Sequence, residues 1–206
     1  MRKEKLQELQ KYIDELRIVD KIKEEESSFI TSIPYTFKLN NGLFIKREQL
    51  IKNGSDGSAV IIMPVTPDNE ILTVIEPRVF TERTVAVSFP AGYIEKDEDI
   101  YEAALRELRE ETGYVPTKLK LLDSFYQDEG CSKAFNHSFI AFNSVCKYPQ
   151  KLDVGEVVRY MTFNLKELEE LEEMGYINGA NSKLTLAKGK KYLRRKLIKW
   201  KNLMQN

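Results

Sequence analysis

The sequence is poor in the residues that define several classes of protein. Its 206 residues include one histidine, one tryptophan and two cysteines, Cys131 and Cys146. The cysteines provide neither a metal-binding spacing nor a disulfide framework, so we expect buried, reduced thiols. Lys and Arg number 32, as do Asp and Glu, so no net field attracts the chain to nucleic acid or anionic lipid. We therefore expect neither nucleic acid nor a membrane among its partners.

Long hydrophobic runs are also absent. The longest run, Ala59–Val65, is far shorter than the roughly 20 residues that a membrane-spanning helix requires. The N-terminal stretch MRKEKLQELQKY lacks the apolar segment of a secretory signal. These absences favour a cytoplasmic location.

Hydrophobic residues nevertheless make up 42% of the chain, which is enough for a folded core. Apolar residues at 3.5-residue spacing predict a helix from Met1 to about Ser27. From residue 28 onward, short β-branched and aromatic stretches between the turn signals NNG, NGSDG and PDN predict strands. Further helices are predicted at residues 97–112, 165–173 and about 183–203. This order predicts an α+β fold with helices packed on a mixed sheet, divided into residues 1–55 and a main domain of residues 56–206.

One predicted helix carries a strong chemical signal. At 100° per residue, Glu107, Glu110 and Glu111 lie at i, i+3 and i+4 and share one helix face. Like charges at this spacing repel each other, so a bound cation is expected to offset them. Mg²⁺ takes oxygen ligands and keeps several waters, which suits a half-open set of carboxylates. The alternative is a solvated, charged helix face.

The wider spacing distinguishes these two interpretations. The sequence follows the pattern G-x5-E-x7-R-E-U-x-E-E-x-G-U, with U apolar. The pattern begins at Gly92, continues at Glu98 and ends with the run RELREETGY from Arg106 to Tyr114. If each of the seven fixed positions occurred at about the 7% usage of glycine, a chance match would arise on the order of 10⁻⁸ per starting site. The segment resembles the signature of the Nudix hydrolases, and the strand pattern extends the resemblance over about residues 28–179.

The resemblance implies an α/β/α sandwich that hydrolyses a nucleoside diphosphate linked to another group, with Mg²⁺ or Mn²⁺ as cofactor. By position in the signature, Glu107, Glu110 and Glu111 correspond to metal ligands. Glu110 and Arg106 are also assigned to catalysis, with Arg106 orienting the carboxylates and Glu98 assisting from the start of the helix. Phosphoryl transfer depends on positioning and on cations that neutralise phosphate oxygens, which agrees with this assignment.

The flanking segments resemble those of ADP-ribose pyrophosphatases. VIEPR ends at Arg78, which corresponds to an arginine that contacts the diphosphate. SFPAGYIE resembles the LPAG turn of that group, in which the carbonyl of Ala91 would bind a metal. A loop carboxylate often activates the water in these enzymes, and KLDVGEVVRY offers Asp153 and Glu156. We favour Glu156 because it directly precedes a predicted strand, and the alternative is a solvated loop residue.

The N-terminal strands of this group form a homodimer that holds the adenine. Tyr35, Phe37 and Arg47 would then be candidates to stack on a base, although core or surface residues would show the same pattern. Residues 1–55 are therefore a candidate dimerisation region.

Two departures from the ADP-ribose pyrophosphatase pattern leave the leaving group open. The stretch YQDEGCS beyond the signature has no proline where that group has one, and Ser88 replaces an acidic residue before the turn. The predicted function is hydrolysis of ADP-ribose or a related nucleotide sugar to a nucleoside monophosphate and a phosphorylated second product. The alternatives are a Nudix hydrolase for another nucleotide and a catalytically silent Nudix-like module that senses a nucleotide and binds a partner.

Overall fold

The computed structural model describes residues 1–22, 29–52 and 54–204, with side chains up to residue 194. The helices are α1 (Lys3–Leu16), α2 (Ile100–Thr112), α3 (Leu165–Glu173) and α4 (Ala180–Met204). The strands are β1 (Ile30–Lys38), β2 (Phe44–Lys52), β3 (Ala59–Val65), β4 (Ile71–Pro77), β5 (Val85–Ser88), β6 (Ala91–Tyr93), β7 (Tyr114–Val115), β8 (Lys118–Tyr126), β9 (Phe135–Phe142), β10 (Val145–Cys146) and β11 (Arg159–Phe163).

Among the residues that the structure describes, the central sheet is mixed and has seven strands. Its main path runs β11-β4-β3-β9-β8, while β5 pairs with β4 and β6 pairs with β3. Only the β3–β9 pair of this sheet is parallel within the described residues, and the other pairs are antiparallel. The pairing of β6 with β3 places the turn after β5 beside the centre of the sheet.

Strand β3 is buried along its whole length because helices cover both faces of the sheet. Val60 and Ile62 belong to the core cluster that contains the apolar side of α2. Ile61 and Met63 point to the opposite face and join the cluster that contains residues of α1, α3 and α4. This alternation gives the layered sandwich that the sequence predicted.

Helix α1 is shorter than predicted. The sequence predicted a helix to about Ser27, but α1 ends at Leu16 and residues 17–22 have no regular structure. The apolar repeat stops at Leu16, because Asp20 stands where the next apolar residue would fall. A helix continued beyond Leu16 would therefore have no continuous apolar face to pack against the body. Residues 23–27 of the predicted helix lie outside the described residues.

Strands β1 and β2 form a separate antiparallel hairpin. All nine residues of β1 are exposed. The backbone N–H of Leu50 donates to the carbonyl of Cys131 at 2.7 Å, and the rings of Phe29 and Tyr93 lie 6.1 Å apart. The hairpin therefore contacts the body near one end and leaves most of its surface open.

Two other sequence predictions concern the cysteines and the membrane. Cys146 is exposed and Cys131 is partly exposed, so the prediction of buried thiols was wrong, although both are free. Cys146 lies at the end of the short strand β10, and Cys131 lies in the loop between β8 and β9, so both are outside the sheet core. Among the helices of the described residues, none combines the length and the hydropathy that a membrane crossing requires.

Candidate active site

Helix α2 is framed at both ends by its sequence. The side chain of Asp99 accepts a hydrogen bond from the backbone N–H of Tyr101 and caps the first turn. Gly113 ends the helix at φ 75°, and its N–H donates to the carbonyl of Arg109. A Cβ at Gly113 would lie 1.9 Å from the carbonyl oxygen of Tyr148, so glycine is required there for both backbone angle and space. These two caps define where α2 begins and ends.

Arg106 connects the carboxylates of the signature. Its Nε and Nη2 donate to the two oxygens of Glu98 at 2.8 and 2.9 Å. Its Nη1 donates to Glu107 at 2.7 Å and to Glu110 at 3.3 Å, and Nη2 also reaches the Tyr93 carbonyl at 3.0 Å. All five N–H groups of the guanidinium are engaged. The hydrogen bond from Arg106 lowers the pKa of Glu98, so this carboxylate stays charged.

Glu111 is the most deeply placed of these acids. Its side chain is buried, and one oxygen accepts a hydrogen bond from the Ala91 N–H at 3.1 Å. Burial, and then the negative charges of Glu76 and Glu107, raise the pKa of Glu111 well above its usual value. A buried carboxylate surrounded by like charges is a position at which a cation would be strongly favoured.

Glu107 lies against Gly92, the first residue of the signature. A Cβ built on Gly92 would fall 2.0 Å from the carboxyl group of Glu107, so the backbone of β6 and this side chain share a space that only glycine leaves open. Burial raises the pKa of Glu107, and the hydrogen bond from Arg106 partly offsets this. The glycine and the glutamate, fifteen positions apart in sequence, thus form one close contact.

A cleft of about 730 Å³ opens over these groups. Its walls are formed by helix α2, β6 and the turn after it, the end of β4 and the loop before β11. The predicted site residues that line it are Arg78, Ala91, Arg106, Glu107, Glu110, Glu111, Asp153 and Glu156. The negative charge of Glu156 contributes to the raised pKa of both Glu107 and Glu111. The fold therefore brings together residues that are up to 78 positions apart.

Two predicted binding residues lie elsewhere. Tyr35 and Arg47 face each other across the β1–β2 hairpin, and neither lines the cleft of its own chain. Tyr35 is exposed, with its ring 5.7 Å from that of Phe37. The Nη1 group of Arg47 donates to the carbonyl of the preceding Lys46. Within one chain these residues are separate from the acidic cleft.

The sequence interpretation missed Glu76 as a member of the site. Its carboxylate accepts hydrogen bonds from the Ser88 hydroxyl at 2.6 Å and from Nη2 of Arg78 at 2.7 Å, and it contributes to the raised pKa of Glu111. Ser88 is thus bonded to an acid on the neighbouring strand. VIEPR contained the signal, since Glu76 lies two positions before Arg78 and shares its side of the strand.

The residues of the cleft suit a divalent cation in their chemistry. Within the described residues, no three His, Cys, Asp or Glu side chains are already gathered around a common point. Arg106 holds Glu107 and Glu110, and Glu111 is bonded to the Ala91 N–H. The donor set nevertheless consists of oxygen atoms with excess negative charge in a partly buried cleft, which fits a hard divalent ion.

Comparison with known proteins gives the family. The profile of the NUDIX domain matches residues 56–182, so the chain belongs to the Nudix family. An ADP-ribose pyrophosphatase of Bacillus subtilis (strain 168) is 38% identical over 137 residues, which cover 66% of this chain and 71% of that protein. The predictions of this family and of an enzyme of this class are confirmed.

Two further similarities concern another relative and the fold. A methanol dehydrogenase activator of Bacillus methanolicus is 38% identical over 104 residues, covering 50% of this chain and 54% of that protein. A solved crystal structure of an ADP compounds hydrolase is 24% identical and superposes with a TM-score of 0.70, covering 84% of this chain and 91% of that chain. The predicted sandwich fold is confirmed by this superposition.

Proposed function

We propose that this protein hydrolyses the diphosphate bond of ADP-ribose or a related nucleotide sugar, with Mg²⁺ or Mn²⁺ as cofactor. The products are a nucleoside monophosphate and a phosphorylated second product. The observation that carries the proposal is the buried carboxylate of Glu111, which shares one cleft with Glu76, Glu107 and Glu156 and has no cation as a hydrogen-bond partner in the described part of the chain. The Bacillus subtilis relative supports the choice of substrate.

Glu107, Glu110, Glu111 and the carbonyl of Ala91 are the proposed metal ligands. A divalent ion at these oxygens would neutralise phosphate oxygens and make the attacking water more acidic. Arg106 keeps its bonds to Glu98 and to the ligands, and so holds the carboxylates in position.

Arg78 is the proposed phosphate-binding residue. Its side chain is 53% exposed at the cleft, and its Nη2 is held by Glu76. This ion pair orients the planar guanidinium of Arg78, whose remaining N–H donors match the oxygens of a diphosphate. Charge on these oxygens grows as the bond breaks, so a fixed guanidinium stabilises the transition state.

Glu156 is the proposed general base. One of its carboxylate oxygens accepts a hydrogen bond from the Asp153 N–H at 3.0 Å, so the loop orients the side chain. Glu156→Gln should lower kcat on the order of 100-fold with little change in KM. Asp153→Asn is the matched variant on the same loop, and a larger loss there would transfer the role to Asp153.

The direct test is hydrolysis of a substrate panel by the purified protein. ADP-ribose, nucleotide sugars, dinucleoside polyphosphates and nucleoside triphosphates should be incubated with Mg²⁺, Mn²⁺ or a chelator, and the products separated by chromatography. We expect AMP from ADP-ribose in the presence of metal and none with the chelator. Absence of nucleoside monophosphate from every substrate would contradict the proposed function.

We also propose that the β1–β2 hairpin forms the interface of a homodimer. A two-stranded hairpin is marginally stable in water unless another surface covers it. Large apolar side chains of this segment are exposed, namely Phe29, Ile30, Ile33, Tyr35, Phe37, Leu39, Leu43 and Phe44. Pairing with a second copy would cover them and would allow Tyr35 and Arg47 to approach the cleft of the partner chain.

Light scattering after size exclusion tests the dimer. The wild type should elute as a dimer, and the double variant Phe37→Glu/Phe44→Glu should be monomeric with a raised KM for ADP-ribose. Val19→Glu is the control, because Val19 is even more exposed than Phe37 and Phe44 but lies outside the hairpin. A monomeric wild type would contradict the proposal.

A catalytically silent partner-binding module is the second candidate. The observation in its favour is the methanol dehydrogenase activator among the relatives, which matches half of this chain. The intact set of signature carboxylates favours catalysis. Binding of ADP-ribose without release of AMP, in either metal, would reverse this order.

A further inference from the structure

A second pocket lies beside the acidic cleft. It has a volume of about 380 Å³, and its walls come from β5, from the turn that precedes β5 and from the segment that leads into α4. Four residues line both the pocket and the cleft, namely Arg78, Ala91, Gln127 and Asn181. The side pocket therefore adjoins the part of the cleft where the diphosphate is proposed to bind.

Three side-chain amides set the polarity of the shared wall. Asn136 is fully buried, and its Oδ1 accepts a hydrogen bond from the backbone N–H of Ala59 at 3.0 Å. A backbone N–H can only donate, so this bond fixes which end of the Asn136 amide is oxygen. Its Nδ2 must then donate, and it reaches Gln127 Oε1 and Asn181 Oδ1, both at 3.2 Å. One backbone group thereby determines the orientation of all three amides.

The consequence is a pair of oriented donors. The amide oxygens of Gln127 and Asn181 are used by Asn136, while their NH₂ groups make no hydrogen bond in the described part of the chain. Arg83 adds a guanidinium that stacks 4.5 Å from the Tyr176 ring and donates to the Met174 carbonyl at 2.9 Å. Gln127, Asn181 and Arg83 thus bring donors to the pocket, which Glu82 also lines, and these donors suit a ligand with acceptor oxygens.

We propose that the side pocket binds the hydroxyl-rich group joined to the nucleoside diphosphate, and that Gln127 and Asn181 are specificity-determining residues that donate to its oxygens. This inference rests on the proposed function. The location of the pocket supports it, because Arg78 and Ala91 stand at its junction with the acidic cleft. A hydroxyl-rich sugar offers many acceptors, and a site built to hydrogen-bond a hydroxyl discriminates against ligands that lack it.

The kinetic test compares two substrates that share one diphosphate. ADP-ribose carries the sugar, and the methyl ester of ADP at its terminal phosphate carries none. Asn181→Ala should lower kcat/KM for ADP-ribose about 10-fold and leave the methyl ester within about 2-fold. Gln10→Ala is the matched control, since it removes an exposed amide on α1 whose one hydrogen bond among the described residues goes to Asp14. An equal loss on both substrates, or no loss on ADP-ribose, would overturn the inference while leaving the proposed function intact.

A binding measurement keeps the test independent of turnover. Ribose 5-phosphate and AMP should be titrated into the metal-free protein by calorimetry, with thermal melts to confirm that the variant is folded. Asn181→Ala should weaken binding of ribose 5-phosphate about 10-fold and leave AMP unchanged. A wild type that does not bind ribose 5-phosphate, or a variant that binds it equally well, would refute the pocket assignment. If the wild type binds ribose 5-phosphate and the variant binds it more weakly, but no substrate is hydrolysed, only the proposed function would be refuted.

Discussion

Replacing Gly92 by alanine should separate the geometry of the site from the stability of the fold. The new Cβ would lie 2.0 Å from the carboxyl group of Glu107, and ordinary van der Waals contact begins at 3.4 Å. The carboxyl group must therefore withdraw by about 1.4 Å. The withdrawal would also break the 2.7 Å hydrogen bond from Arg106 to Glu107.

The expected effect is large on activity and small on folding. A displacement of about 1 Å in a positioned group can cost on the order of 100-fold in rate, so kcat for ADP-ribose should fall by at least that factor. The atoms that must move are the end of a flexible side chain and Gly92 has an ordinary backbone conformation, so the free energy of unfolding should change by less than about 1 kcal/mol. Steady-state kinetics in Mg²⁺ and urea denaturation would measure the two quantities.

Gly130→Ala provides the control for this substitution. Its Cβ would meet only the Asp128 side chain at 3.6 Å, which is an ordinary contact, and Gly130 lines neither the cleft nor the side pocket. We expect wild-type kcat from this variant. Full activity of Gly92→Ala would refute the reasoning, because it would mean that the position of Glu107 is not needed for turnover.

Three further predictions concern individual charges and caps. Glu111→Gln should abolish turnover yet raise the melting temperature of the metal-free protein. Because the pKa of Glu111 is raised, the native state keeps a proton on this residue at a pH where the unfolded chain has released it. The metal-free wild type should therefore lose stability relative to this variant as the pH rises from the usual glutamate pKa toward the raised pKa of Glu111. Gly113→Ala should lower the free energy of unfolding by at least about 1–2 kcal/mol in urea titrations, because the left-handed backbone disfavours a side chain. Hydrogen bonds from Arg2 hold the pKa of Glu167 at about 2, so Glu167→Gln should lower the melting temperature at pH 7, and the difference should shrink as pH falls toward 2.

The signature made the central part of the site predictable. Its residues lie on one helix, where 3.6 residues per turn places Glu107, Glu110 and Glu111 on one face without any knowledge of the rest of the fold. Asp99 and Gly113 at the helix ends have well-known capping preferences, so the limits of this helix were also close to prediction. Helix α3 matched its prediction from Leu165 to Glu173, since an Asn–Glu capping box starts it.

Contacts between segments that are distant in the chain were harder to predict from the sequence. The contribution of Glu76 depends on the register of β4 with β5, which places the Ser88 hydroxyl beside its carboxylate. The orientation of Gln127 and Asn181 depends on Asn136, which is itself fixed by a backbone group of β3. No periodicity in the sequence encodes such cross-strand relations, because each depends on which strands become neighbours.

The sequence by itself determined the family, the acidic face of α2 and the glycines that this face requires, because these depend on local helix geometry and on residues at fixed spacing. The tertiary structure decided which other groups share the cleft, because sheet pairing and helix packing bring chain segments together regardless of their separation in sequence. Glu76 and the amide-lined side pocket became visible only through that packing. The same packing separates Tyr35 and Arg47 from the cleft of their own chain.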